Sequence, residues 1–282
     1  MNKQHKKVLI LGGHGMLGND VVKVFPSSIA LGRNDCDITQ YDSVRACIDT
    51  HSPDLIINCA AYTKVDLAET EQDQAFAINS VGPQNIATVC AEKNIELMHI
   101  STDYVFDGTQ EEPYLESDIC NPLSTYGKSK WKGEESILAI YPQAKIVRTQ
   151  WLYGLGGKNF VETMLHLAKT RDSLSVIHDQ IGSPTYTADL AKALLQLSYF
   201  SHSGIFHIHN EGFASWYEFA KEIFFQSNST CHVEPIPTTA YPLPAKRPQY
   251  GTLSMNRWQN ELNCSPLPHW KDALKRYLLA RQ

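Results

Sequence analysis

Val8-Leu9-Ile10-Leu11-Gly12-Gly13-His14-Gly15-Met16-Leu17-Gly18 passes from four apolar residues to a glycine-rich turn, and then to a helical pattern that runs to Phe25. Four consecutive apolar residues suit a strand buried on both faces. The order is therefore strand, glycine turn, helix. Short apolar runs recur at Ile29-Ala30-Leu31, Leu55-Ile56-Ile57, Leu97-Met98-His99-Ile100 and Ala144-Lys145-Ile146-Val147, with helix-like segments at about 41–50, 68–93 and 124–140 between them. Strands and helices that alternate in this way imply right-handed crossovers and a parallel sheet covered on both faces. Pro83 falls inside the longest helical segment, where a kink or a restart is expected.

Beyond about residue 150 the rhythm changes to isolated helices at about 158–171, 187–199 and 215–226, with proline-rich connections such as Pro235-Ile236-Pro237 and a last helix from Trp270 to Ala280. The expected fold is α/β: a Rossmann-type doubly wound parallel sheet with a smaller C-terminal substrate-binding lobe. We expect residues 1–150 and about 186–208 in the dinucleotide-binding domain, and 151–185 and 209–282 in the lobe.

Composition narrows the function. With 282 residues, 43% hydrophobic and 20% charged, the chain can bury a large core, and disorder is excluded. A formal charge of −5 argues against a nucleic-acid or anionic-membrane partner. Seven cysteines with no Cys-x-x-Cys pair read as reduced thiols, which points to the cytoplasm. Met1 to Lys7 is basic, but Val8 to Leu11 is too short for the apolar part of a signal peptide, and no stretch approaches a membrane span.

Gly12, Gly15 and Gly18 give the spacing G-x-x-G-x-x-G. Glycines so placed let the chain turn tightly, approach a pyrophosphate and pack the helix on the strand, with Met16 and Leu17 opening the helix on which the phosphates would sit. At the end of the second strand Arg33 stands where a carboxylate would hold the ribose hydroxyls of NAD. A guanidinium suits a 2′-phosphate instead, so NADPH is favoured, with NADH use left open. Asp37-Ile38 follows a turn and resembles the adenine-contacting pair of short-chain dehydrogenases, or Asp37 serves only as a helix cap. Asn58-Cys59-Ala60-Ala61-Tyr62 ends the third strand in small residues that leave room for a cofactor.

Tyr126 and Lys130 stand four residues apart, on one face of a helix. An ammonium about 4 Å from a phenol interacts by roughly 4 kcal/mol at an effective dielectric of 20. At about 1.4 kcal/mol per pKa unit, the lysine could lower the phenol by up to roughly three units, into the range of a general acid. Upstream, Ile100-Ser101-Thr102-Asp103-Tyr104-Val105-Phe106-Asp107-Gly108 begins at the C-terminal end of the fourth strand, where open parallel sheets place their sites.

The glycine spacing and the Tyr-x-x-x-Lys pair resemble the short-chain dehydrogenase/reductase superfamily. Ser101 to Gly108, Ala60-Ala61-Tyr62-Thr63 with Val65-Asp66, Arg148 to Gly154, Asp179 to Thr185, Ser215 to Phe219, Arg247-Pro248 and Leu267 to Trp270 make nearly the whole chain similar to the dTDP-4-dehydrorhamnose reductase family. That resemblance implies an NADPH-dependent reduction of the C4 ketone of dTDP-4-dehydro-L-rhamnose to dTDP-L-rhamnose, for surface polysaccharide. Tyr126 would give the proton, Lys130 would tune Tyr126 and bind the nicotinamide ribose, and Thr102, rather than Ser101, would polarise the carbonyl. Asp103 and Tyr104 would border the sugar, Trp151 would pack on it, and Arg247 would face the diphosphate. Asn79 would brace the active-site strand beside the cofactor. Trp216, Tyr217 and Phe219 read as lobe core, and His207 and His209 as structural histidines.

No metal is assigned. Asp20 matches an acidic position tied to magnesium-dependent dimers in some relatives, but an acid in a first helix is normally a solvated charge, and a homodimer is left open. Lys64 and Tyr250-Gly251 depart from the family's usual residues and put the exact sugar in question. Two alternatives follow: a reductase of another nucleotide-linked 4-keto-sugar, or a non-catalytic cofactor-binding regulatory subunit like that of methionine adenosyltransferase.

Overall fold

The computed structural model describes residues 6–281; Met1 to His5, most of the basic segment read as no signal peptide, lie outside the described residues. Strands β1 (Val8–Leu11), β2 (Ile29–Leu31), β3 (Leu55–Asn58), β4 (Glu96–Thr102) and β5 (Lys145–Thr149) alternate with helices α1 (Met16–Val24), α2 (Tyr41–His51), α3 (Gln72–Phe76), α4 (Gly82–Lys93) and α5 (Thr125–Ile140). After β5 come β6 (Leu152–Tyr153), α6 (Phe160–Leu167), β7 (Ser173–Ile177), β8 (Ile181–Gly182), β9 (Thr185–Tyr186), α7 (Thr187–Leu197) and β10 (Gly204–His207). The chain continues through β11 (Asn210–Glu211), β12 (Ala214–Ser215), α8 (Trp216–Gln226), β13 (His232–Ile236), β14 (Leu267–His269) and α9 (Trp270–Ala280).

Six strands form one parallel sheet in the order β10-β5-β4-β3-β1-β2. Side chains alternate between its faces, as strand geometry requires. Val8, Ile10, Ile57, Met98, Ile100 and Val147 pack with Leu17 and Val21 of α1 and Leu190 and Leu194 of α7. Leu9, Leu11, Ile56, Leu97 and Ile146 pack on the other face with Val44, Ile86 and Ile137. This is the expected doubly wound Rossmann-type sheet. Its order reverses at β1, which has β2 on one side and β3 on the other, so a crevice opens beyond the C-terminal ends of β1, β3 and β4. A separate core of Tyr153, Val161, Leu174, Phe219, Ile223, Trp270 and Tyr277 gathers α6, α8 and α9 with short paired strands.

The long helical segment expected over 68–93 is broken. A 3-10 turn at Leu67–Glu69 and the short α3 lead into a π-helical turn, Ala77–Val81, and α4 restarts with Pro83 in its first turn. The proline lacks an N–H that a first turn does not need. Helix α5 lies so close to this π turn that a Cβ on Gly133 would stand 2.2 Å from the Asn79 carbonyl oxygen. Two buried ties hold α5 on the sheet: the Arg148 guanidinium bonds the Glu134 carboxylate at 2.6 and 3.0 Å, and Lys130 Nζ reaches the Ile100 carbonyl at 2.6 Å.

Gly133→Ala separates packing from helix propensity. Propensity alone predicts a gain of about 1 kcal/mol, whereas overpacking against Asn79 predicts a loss of roughly 1–3 kcal/mol. We expect the loss, read as a lower urea midpoint.

Candidate active site

Gly12 has φ +71°, and a Cβ on it would meet the Ala60 backbone nitrogen at 2.6 Å; a Cβ on Gly18 would stand 2.2 Å from the Gly12 carbonyl. The first turn therefore admits only glycine at both places. Gly15 caps α1 without any side-chain hydrogen bond, so the first amides and positive end of the helix are offered to an anion. Met16 and Leu17 follow directly, with Met16 half-buried. At the adenosine end Arg33 is exposed and stands 3.8 Å from Asp37. Asp37 Oδ1 accepts from the Thr39 amide and hydroxyl, which lowers its pKa, so it works as a turn-forming acceptor. Ile38 packs against Gly82 and its carbonyl accepts from Asn85.

Beyond β3, Asn58 Oδ1 accepts from Ala60 N–H at 3.1 Å. Asn79, in the π turn, gives and takes backbone hydrogen bonds with Tyr62, at 3.0 and 2.8 Å, and donates to Ser129 Oγ at 3.0 Å. Asn79 thus braces the loop after β3, carrying Ala60, Ala61 and Tyr62, rather than the active-site strand β4. The Asn79 amide is taken up by the Tyr62 backbone and Ser129 Oγ, which is why it serves that loop.

Ser124 caps α5 by accepting from Gly127 N–H, and Glu69 holds the Thr125 amide and hydroxyl at 2.8 and 2.9 Å. Tyr126 and Lys130 follow on one face. Tyr126 is half-buried, packed against the Tyr62, Ala68 and Ala75 cluster, with the Tyr104 ring edge-on at 5.5 Å. Burial pushes the phenol up to about 12, partly opposed by Thr102. In the ligand-free protein the net shift is therefore upward, against the net lowering expected from Lys130. Desolvation acts on both groups and outweighs the attraction between charge and phenol. Lys130 is itself pushed down to about 8, chiefly by burial.

Thr102 ends β4. Its hydroxyl donates to Asp103 Oδ1 at 3.0 Å and accepts from the Tyr104 amide at 3.2 Å. Asp103 is buried, and desolvation pushes its carboxyl up to about 7. Register pairs Thr102 with Thr149 across β4 and β5. At these strand ends Ser101 Oγ, Asp103 Oδ2, Thr149 Oγ1 and both amide atoms of Gln150 are buried with no hydrogen-bond partner in the protein. Each such group left unsatisfied costs about 1–3 kcal/mol, so the orphaned atoms and the uncapped helix fit a polar ligand at this crevice. Thr149 and Gln150 carried no assigned role in the sequence; their signal is a polar pair at the end of a buried strand, beside Thr102.

Trp151 has φ +47° and stacks face to face on Trp216 at 3.5 Å. Trp216 also packs on Phe160, so it belongs to the lobe core while backing the ring of Trp151. Arg247 is part-buried, in a two-pronged pair with Asp66 at 3.1 and 2.8 Å, with the Tyr104 phenol among the groups acting on it. Lys64 is exposed, and Gly251 lies against Asp103 Oδ2. Asp20 is no solvated charge: it is buried, with Thr187 Oγ1 at 2.6 Å and Lys23 at 2.7 Å. His207 and His209 are buried on backbone carbonyls of Tyr114, Ser254, Asn210 and Leu253.

The family model of the RmlD substrate binding domain matches residues 6–282. The chain belongs to the RmlD family. It is 43% identical over 280 residues to the spore coat polysaccharide biosynthesis protein SpsK of Bacillus subtilis, covering 98% of both chains. It is 40% identical to a dTDP-4-keto-6-deoxy-D-glucose reductase of Streptomyces niveus, covering 94% of each. Among solved structures, the dTDP-4-dehydrorhamnose reductase of Bacillus anthracis in complex with NADP is 39% identical with a TM-score of 0.95, over 98% of this chain and 99% of that one.

Asp103 gives this RmlD-family chain a pH signature. A folded-state pKa raised from 3.8 to about 7 contributes stability below pH 4 that is lost as pH rises through 7. Asp103→Asn should flatten that decline, worth about 4 kcal/mol at most, when urea midpoints of the two proteins are compared from pH 4 to 8.

Proposed function

We infer that this chain is a dTDP-4-dehydrorhamnose reductase, an NADPH-dependent oxidoreductase that converts the C4 ketone of dTDP-4-dehydro-L-rhamnose to the alcohol of dTDP-L-rhamnose. The observation that carries the reading is the half-buried Tyr126 phenol beside Thr102, at the C-terminal end of β4 in the sheet that also carries the glycine turn. NADPH supplies, when bound, a hydride to the sugar C4. The first amides of α1 would hold its pyrophosphate, and Arg33 its 2′-phosphate.

Tyr126 would give its proton to the C4 oxygen as the alkoxide develops. Burial, which raises the phenol, keeps it protonated until that moment. Thr102 spends its own proton on Asp103 in this geometry. When Asp103 is the neutral acid, its O–H can bond to Thr102 Oγ1, and the freed Thr102 O–H can then polarise the sugar carbonyl. Trp151 would stack on the sugar, Asp103 and Tyr104 would border it, and Arg247, oriented by Asp66, would meet the diphosphate. The smaller lobe would hold the nucleotide-sugar over a dinucleotide domain of 1–150 and 186–208. Free cysteines throughout the described residues suit the cytoplasm. Among the described residues no helix is long and apolar enough to cross a membrane.

A second substrate reading has its own support. Gly251, one of the departures from the family pattern, sits against Asp103 at the wall where the sugar would lie, so another dTDP-linked 4-keto-6-deoxy-sugar is the nearest rival. The regulatory-subunit reading is weakened by Thr102, Tyr126 and Lys130 all standing in place.

NADPH oxidation with dTDP-4-keto-L-rhamnose made in situ should proceed in the wild type and fall by about 10²–10⁴-fold in Tyr126→Phe. Equal inertness of the two, with cofactor bound by both, would return the chain to a regulatory role. Arg33→Ala should weaken NADPH more than NADH by titration; equal losses would remove the 2′-phosphate assignment.

A further inference from the structure

We propose that His99 is a positioning residue: held by Asn58, it presents its Nε2–H to Lys130 and so favours the uncharged amine seated on the Ile100 carbonyl. One chain of hydrogen bonds joins these groups. Ala60 N–H donates to Asn58 Oδ1 at 3.1 Å, which fixes the orientation of that amide. Its Nδ2 is then the end that faces His99 Nδ1 at 3.0 Å, so Nδ1 accepts and carries no proton. His99 is fully buried between Asn58 and Lys130, and burial holds its pKa well below the usual range. The neutral ring therefore carries its one proton on Nε2.

That proton faces Lys130 Nζ at 3.3 Å, while Nζ donates to Ile100 O at 2.6 Å. An ammonium has three donors and no acceptor, so it would oppose the imidazole N–H. An amine offers a lone pair and satisfies both contacts. The other groups facing Lys130 are Glu134 on α5 and Cys59 beyond β3, both of which favour its charge, and Glu134 is already engaged by Arg148. Burial outweighs them and brings Lys130 down to about 8. The kinetic consequence rests on the reductase reading: the charge that would tune Tyr126 is lost as pH rises through the Lys130 midpoint, so turnover falls on the alkaline side.

The test uses the full chain, free of ligands, by NMR. With ¹⁵N-labelled histidine, wild-type His99 should show a protonated Nε2 and a bare Nδ1; the opposite tautomer would overturn the proposal without any variant. With [ε-¹³C]lysine, and Lys130 assigned through Lys130→Met, the wild-type midpoint should lie near 8 and rise by about one pH unit or more in His99→Phe, a tenfold change in the charged-to-neutral ratio. An unchanged midpoint in a folded His99→Phe would make His99 packing only and would also overturn the proposal. Neither spectrum depends on turnover, so a failure of the reductase assignment would show separately, as absent sugar reduction with an intact Lys130 titration.

Discussion

The hydrogen bond from Lys130 Nζ to the Ile100 carbonyl, at 2.6 Å, joins α5 to the middle of the sheet. It is buried, so its full strength is available, and loss of either partner would leave a polar group stranded. With Arg148 and Glu134 it fixes the height of α5 above β4 and β5. That height sets where Tyr126 stands relative to Thr102. The glycine at 133 permits the approach, and Asn79, in the π turn beside it, holds the loop after β3. Fold and site thus share one set of contacts.

Electrostatics at this site follow burial more than pairing. Desolvation raises Tyr126 and Asp103 and lowers Lys130 and His99, in each case toward the neutral form. A site biased toward neutral groups suits a reaction whose charge appears on a ketone oxygen only as its carbon accepts hydride. Water would answer that charge by reorganising, whereas the Tyr126 and Thr102 hydroxyls are held in place at the strand end.

Much of this was legible in the sequence, for reasons that are local. Strand, glycine turn and helix occupy adjacent residues, and Tyr126 and Lys130 sit one helical turn apart, so their spacing alone places them on a common face. What was not legible depends on distant contacts. The pair Asp66 and Arg247 is separated by 181 positions, and neither residue's neighbours announce the other. The π turn at 77–81 sits within a segment that reads as one continuous helix, and it is a tight approach to Gly133 that accompanies it. His99 lies in an apolar strand and looks like a structural core residue until Asn58 and Lys130 are seen on its two nitrogens. The direction of the Tyr126 shift is not legible in the sequence because charge separation can be inferred from helical spacing, but the depth of burial cannot.

The central claim is that this crevice reduces a sugar ketone, with the proton and the hydride arriving at the same carbonyl. Its most direct test is to supply NADPH deuterated at nicotinamide C4 together with dTDP-4-keto-L-rhamnose and to read the product by mass spectrometry and NMR. The account predicts one deuterium at sugar C4 for each cofactor oxidised, and an unlabelled hydroxyl at C4. Cofactor bound at full occupancy with no labelled sugar formed would contradict it.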